Sequence, residues 1–284
     1  MPDRKEIKLQ IGTNVIQTGA AYDWDCLSVQ GDDYMEADVS LEEIATDDGS
    51  YELRPPRYLP RYIDLEIRSK VTTSAQIDAT ELLLKSYMDA KASSILTIYK
   101  NGVERIGYGR IADVKKRRGA KWNEKPYILV TFVMPDPWFV GELNTNMFRA
   151  ETPLISFPLS FIVDVGLTTG VVVSGNDIMF TVGGHESAGF ILTLTASGAV
   201  VNPKVANADG DYVTIKETLA DGDIAVISTM KRDKYTTLNG VVCRYDRLSE
   251  FFALAVGSNT LTVSADSGVD NLSKSLTWRE RYRG

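Results

Sequence analysis

The sequence predicts a mainly β protein of two domains: an N-terminal β-sandwich or sheet with one packed helix, and a C-terminal antiparallel β-sandwich. Three observations predict it. Apolar residues alternate with polar ones over many short runs of the 284-residue chain. Asn-Gly and Asp-Gly pairs separate those runs, and both tolerate the positive φ of hairpin turns. A proline-containing polar stretch near the middle breaks the chain into two parts of different character.

The elements follow in order. Ile7-Lys8-Leu9-Gln10-Ile11 alternates with period two, as does Tyr62-Ile63-Asp64-Leu65-Glu66-Ile67-Arg68. Thr73-Ser74-Ala75-Gln76 has the form of a capping box, so a helix is expected over about 74–92, with Ile77, Leu84 and Met88 on one face. Leu96 to Lys100 enters Asn101-Gly102 and returns through Val103 to Ile106, a hairpin. Tyr127 to Met134 is a further strand. Pro135-Asp136-Pro137-Trp138-Phe139 stops pairing, and the polar Gly141–Asn146 stretch reads as turns. The domain boundary is placed at about residue 150, giving domains 1–150 and 151–284.

Beyond it, Phe157, Leu159, Phe161 and Val163 alternate. Short strands are expected at Val171–Val173, Ile178–Val182, Phe190–Thr195, Tyr212–Lys216, Ile224–Ser228, Val241–Arg244, Phe251–Leu254 and Thr260–Val263. Asp209-Gly210, Asp221-Gly222, Asn239-Gly240 and Gly257-Ser258-Asn259 supply the turns. Strands at this spacing indicate a sandwich.

Charge is uneven. Residues 1–52 carry 13 acids and 3 bases, a net of −10; residues 53–150 carry 10 acids and 17 bases, a net of +7. Between Lys8 and Arg54 lie eleven acids, among them Asp32, Asp33, Glu42 and Glu43, and no Lys or Arg. Such a segment is either a solvated loop or an arm lying on a basic surface of its own or a neighbouring subunit. Arg57, Arg61 and the run Lys115-Lys116-Arg117-Arg118 are the candidate complements. Tyr22, Trp24, Tyr34, Leu41 and Tyr51 within it argue for order.

The chemistry of a catalyst is not in view. One histidine, His185, and two separated cysteines, Cys26 and Cys243, exclude multi-histidine metal sites, a disulfide framework and the common zinc modules. Gly107-Tyr108-Gly109-Arg110-Ile111-Ala112 fits the loose dinucleotide pattern, but it lies in an alternating strand with no helix opening after it. The Asp-Gly-Asp pairs read as turns rather than calcium loops. No cofactor, metal site or catalytic residue is expected. No signal peptide is visible, and no run reaches the roughly 18 to 20 apolar residues of a membrane span. The net charge of −7 disfavours nucleic acid as a partner.

The order of motifs carries a resemblance. The path from Arg61-Tyr62-Ile63-Asp64-Leu65 through the helix, Leu96-Thr97-Ile98, Arg105-Ile106-Gly107-Tyr108 and Ile128–Met134 to Pro135-Asp136-Pro137-Trp138-Phe139 resembles the N-terminal domain of the distal tail protein (Dit) family of long, non-contractile-tailed bacteriophages. Asn202-Pro203, Asp209-Gly210-Asp211, Asp221-Gly222-Asp223, Asn239-Gly240 and Phe251 to Val263 are similar to that family's second half. The acidic segment around 23–55 departs from the family in its length and acidity. The resemblance implies a non-enzymatic virion protein at the tail tip, made in the host cytoplasm. It implies a homo-hexameric ring hub, with galectin-like C-terminal domains projecting outward. One face would dock the tail tube protein, the other the tail-tip or tail-associated protein, and receptor-binding proteins or host glycans are further partners. The alternative is a carbohydrate-binding module for cell-surface glycans, using Tyr235, Tyr245, Trp278 or Tyr282; a two-carboxylate glycan hydrolase is a more remote one.

Overall fold

The computed structural model describes residues 6–43, 48–70, 82, 89–100, 102–117, 127–148, 150–153, 170–173 and 176–284. The chain forms two compact units, residues 1–142 with 282–284, and residues 143–281. Among the described residues the regular secondary structure is almost entirely strand, as the alternation predicts. The predicted helix at 74–92 lies largely outside the described residues; Leu82 within it is helical, and residues 89–92 turn into the next strand.

The first unit is organised around one long strand, Val103–Arg117. Its first half pairs with Ser94–Lys100, in register from Val103 opposite Lys100 to Gly109 opposite Ser94. Its second half pairs with Tyr127–Met134, starting at Arg110 opposite Val133, with a bulge between Ile111 and Asp113. The strand therefore changes sheets between Gly109 and Arg110. One sheet continues through Ile7–Ile11 to Asn14–Gln17. The other continues through Arg61–Ser69 to Trp24–Gln30. All these pairings are antiparallel. Ile7, Leu9, Ile11, Leu96 and Ile98 from the first sheet join Ile63, Leu65, Ile67, Val130, Phe132 and Met134 from the second in one buried cluster. Burying such side chains is the main stabilising term, about 1.5–3 kcal/mol for each large one.

The long strand also explains the glycine pattern that mimics a nucleotide motif. A Cβ on Gly107 would lie 2.7 Å from the Met134 sulfur. A Cβ on Gly109 would lie 2.1 Å from the Val133 carbonyl oxygen and 2.9 Å from the Phe132 ring. Both glycines permit close approach at the corner where the strand passes between sheets.

One expectation for the first unit is corrected here. The Gly141–Asn146 stretch is strand, not turns, inside Phe139–Phe148. Val140, just before it, stands opposite Ile106, so the strand opens in a sheet pairing and its polar, turn-prone continuation does not end it. The acidic segment, read as either a solvated loop or an arm, contains Trp24–Gln30 and two short ladders, Ala37–Asp38 with Arg57–Tyr58 and Leu41–Glu43 with Ser50–Glu52.

The second unit holds two antiparallel sheets. One runs in the order Leu272–Tyr282, Phe190–Ala196, Ile224–Met230, Asp233–Leu238, Val241–Val242. The other runs Asp177–Val182, Gly257–Ser264, Lys204–Asn207, Tyr212–Thr214. Their inward residues, including Phe190, Leu192, Ile227 and Leu276 from one and Ile178, Val205, Val213 and Val263 from the other, form a single core. Phe251–Leu254 is not a ladder strand: it makes one bridge, Leu254 to Ala188, while Phe252 and Leu254 are buried. Burial alone explains its apolar pattern. The predicted strand at 157–163 lies outside the described residues.

The predicted turns form where the dipeptides place them. Asn239 and Gly240 have φ of 51° and 79°. Asn239 also ties its turn to a second one: its Oδ1 accepts the Ile224 N–H at 2.9 Å, and its Nδ2 donates to Asp223 at 2.8 Å. Asp223 accepts the Ala220 N–H as well, at 2.7 Å. These donors, the Asn239 amide first, hold the Asp223 carboxyl below the usual carboxylate range. A carboxyl whose folded pKa is depressed stabilises the fold above its unfolded value, about 3.9, and loses that contribution as pH falls through the folded value. Asp223→Ala is therefore expected to lower the thermal midpoint at pH 7, with the difference from wild type shrinking well below pH 4. Thermal unfolding at the two pH values checks this.

Candidate functional site

The residues singled out for subunit contact fall into two groups. Asp32 and Arg61 are inside the first unit, each 3% exposed. Arg61 opens the Arg61–Ser69 strand on its inward face. Its Nη1 donates to the Asp32 carbonyl at 3.2 Å, and its Nη2 donates to the Arg283 carbonyl. The guanidinium lies 4.9 Å from the Phe139 ring centroid. Burial lowers the Arg61 pKa, an effect opposed by the charges of Asp32 and Asp33. Asp33 forms an ion pair with Lys100. Asp25, also buried, lies 3.6 Å from Lys70. Asp25 and Asp33 are thus paired within the unit.

The outer group lies on the arm and on the far end of the long strand. Asp38 pairs with Arg54 at 2.6 Å and Arg57 at 3.1 Å, bracing the arm's base. Glu42 accepts the Tyr51 hydroxyl at 2.7 Å, and this bond raises the Tyr51 pKa. Glu43 and Glu52 are exposed and have no partner among the described residues. Lys115 and Lys116 are exposed on the second half of the Val103–Arg117 strand. Lys115 pairs with Asp113 and holds that carboxyl below its usual range. Arg117 ends the strand, and Arg118 lies outside the described residues.

The remaining candidates have structural surroundings. Trp278 is 5% exposed and packs on Phe180 with centroids 5.0 Å apart. The Tyr282 ring is covered by the Arg105 guanidinium at 3.4 Å. Tyr245 is exposed and meets Phe251 edge to face, while Tyr235 is half-buried in a central strand. The His185 backbone N–H donates to the Arg281 carbonyl at 2.7 Å. Cys26 is buried and Cys243 half-buried, both as free thiols. Among the described residues no cluster of His, Cys, Asp or Glu could hold a metal ion. No helix among them is long and apolar enough to cross a membrane. What sequence reasoning missed is the Tyr282–Gly284 segment: it returns to the first unit, where Arg283 accepts from Arg61 and Arg105 covers Tyr282.

Residues 183–282 match the family model described as the siphovirus-type tail component, C-terminal domain. Over those residues the chain therefore carries a siphovirus-type tail-component domain. The resemblance to the distal tail family read from its motifs is borne out.

Solved structures agree on the fold over the whole chain. It is similar to the crystal structure of the phage SPP1 Dit (gp 19.1) protein, described as a paradigm of hub adsorption apparatus in Gram-positive infecting phages. The TM-score is 0.67 at 11% identity, covering 97% of this chain and 98% of that one. It is also similar to a chain of the phage P2 baseplate in its activated conformation with Ca. There the TM-score is 0.53 at 10% identity, covering 98% of this chain and 99% of that one. No curated protein matches.

Proposed function

We propose that six copies of this chain close into a ring at the distal end of the tail, joining the tail tube to the tail-tip apparatus. The N-terminal domain, residues 1–150, builds the ring around a central channel. The C-terminal domain, residues 151–284, is a galectin-like sandwich that projects outward, where receptor-binding proteins or host glycans engage it. One ring face meets the tail tube protein and the other the tail-tip or tail-associated protein. The role is architectural, with no reaction catalysed.

The observation that carries this reading is the likeness of fold to a hub protein along nearly the entire chain, 97% of it, joined to the family match in the second unit. A closed ring has head-to-tail interfaces, so each copy must present two different, complementary surfaces. A chain with an acidic −10 block followed by a basic +7 block has that property.

The test is the solution mass of the purified protein, with negative-stain images of the same fraction. Six chains of 31.4 kDa are expected to weigh about 190 kDa and to appear as rings with a central hole. A monomer that stays monomeric up to high concentration and in the presence of the tail tube protein would sink the reading.

A further inference from the structure

We propose that Asn239 is a site of covalent modification: a spontaneous deamidation, slowed by the contacts that hold its side chain, which unties two neighbouring turns irreversibly once it occurs. The inference is independent of the ring reading.

The chemistry starts from the dipeptide. In an Asn-Gly pair the glycine nitrogen can attack the asparagine Cγ, because glycine has no side chain to shield it. The new N–Cγ bond closes a five-membered imide. The Cγ–Nδ2 bond breaks, and ammonia leaves with the proton of the backbone N–H. Water then opens the imide at either carbonyl, giving aspartate or isoaspartate. One water is consumed and one ammonia released, with no oxidant or cofactor. The sequence has two such pairs, Asn101-Gly102 and Asn239-Gly240, and Asn101 lies outside the described residues.

At the second pair the nucleophile is open. Asn239 and Gly240 are both exposed, so water reaches them. A Cβ placed on Gly240 would meet nothing within 4 Å, and the Gly240 N–H has no acceptor among the described residues. The electrophile is held. The Asn239 Oδ1 accepts the Ile224 N–H at 2.9 Å, and its Nδ2 donates to Asp223 at 2.8 Å. The Asn239 backbone N–H donates to the Ile224 carbonyl, also at 2.8 Å. The carboxamide is thus fixed at both ends, and Cγ can turn to the Gly240 nitrogen only after the side-chain bonds open. Attack also gathers negative charge on the carboxamide, which the adjacent Asp223 carboxylate opposes.

The product cannot return to this arrangement. An acid at position 239 has no donor for Asp223, and two carboxylates at hydrogen-bond distance repel. The tie between the Asn239-Gly240 turn and the Ala220–Asp223 turn is lost, and only new synthesis replaces it.

The experiment incubates the full chain at mildly alkaline pH, native and in urea, and follows both Asn-Gly peptides by mass and by enzymatic methylation of isoaspartate. Asn239 is expected to deamidate at least about tenfold more slowly in the native protein than in urea, the protection that two hydrogen bonds supply. Asp223→Ala, and the same-sized Asp223→Asn, are each expected to speed the native reaction at Asn239 at least about threefold. The rate at Asn101 should stay unchanged, which separates a local release from general loosening. Asn239→Asp, which stands for one product, is expected to lower the thermal midpoint at pH 7 at least as much as Asp223→Ala does. A native rate at Asn239 equal to the rate in urea, or one that neither Asp223 variant changes, would overturn the protective role of these contacts. An Asn239 that stays an amide even in urea would overturn the site itself.

Discussion

Gly109→Ala is expected to destabilise the protein by about 3 kcal/mol, although alanine is the smallest side chain that can be added. The backbone at Gly109 has no positive φ, so the cost is not conformational strain. It is space. The new Cβ would lie 2.1 Å from the Val133 carbonyl oxygen, a backbone atom fixed by the ladder to the next strand, and 2.9 Å from the buried Phe132 ring. Neither can rotate away, so the strand must move off its corner and loosen two sheets at once. Equilibrium unfolding in guanidinium checks it. An exposed strand change such as Thr181→Ala, by contrast, should fall within about 0.5 kcal/mol of wild type. A Gly109→Ala protein as stable as that control would show that the corner yields freely and that this packing account is wrong.

Arg61→Met is expected to cost a similar amount, about 3 kcal/mol, for a different reason. Methionine nearly fills the volume, but it leaves the buried carbonyl of Asp32 and the part-buried carbonyl of Arg283 without the donors they have now. It also removes the cation from the Phe139 face. Arg61→Lys should recover only part of the loss. An ammonium is a point charge, and it cannot direct two N–H groups along a planar fork toward two separated oxygens. Thermal unfolding of the three proteins ranks them as wild type, then Arg61→Lys, then Arg61→Met. A lysine variant equal to wild type would mean that charge, and not the fork, is what the site requires. Limited proteolysis supplies a second readout, because in the methionine variant the Tyr282–Gly284 segment loses its tie to Arg61 and should be cut sooner.

These two residues also mark the limits of sequence reading. Gly109 is visible in the sequence only as part of a false nucleotide pattern; its strand context excludes that chemistry without revealing the corner. Arg61 reads as a surface cation, one among several complements for an acidic segment. The structure buries it and sets it to donate to the carbonyl of Arg283, 222 residues away along the chain. Trp278 and Tyr282 read as aromatics available to a sugar, whereas one packs on Phe180 and the other lies under Arg105. The acidic segment divides in a way that composition hides: Asp25, Asp33 and Asp38 have cations beside them, and Glu43 and Glu52 have none among the described residues.

What the sequence determined by itself is whatever depends on neighbours a few residues apart. Alternation with period two made the strands and chose their buried faces, as in Arg61–Ser69 and Tyr127–Met134. Asn239-Gly240 and the Asp-Gly pairs made the turns, because positive φ is a local steric permission. The charge blocks and the order of the motifs were equally legible. The tertiary structure alone decided which strand lies beside which, where Val103–Arg117 leaves one sheet for the other, and which charges are spent inside. Those outcomes depend on groups brought together from distant parts of the chain. The energy of a buried guanidinium or an added methyl group is set by that meeting, and no local pattern encodes it.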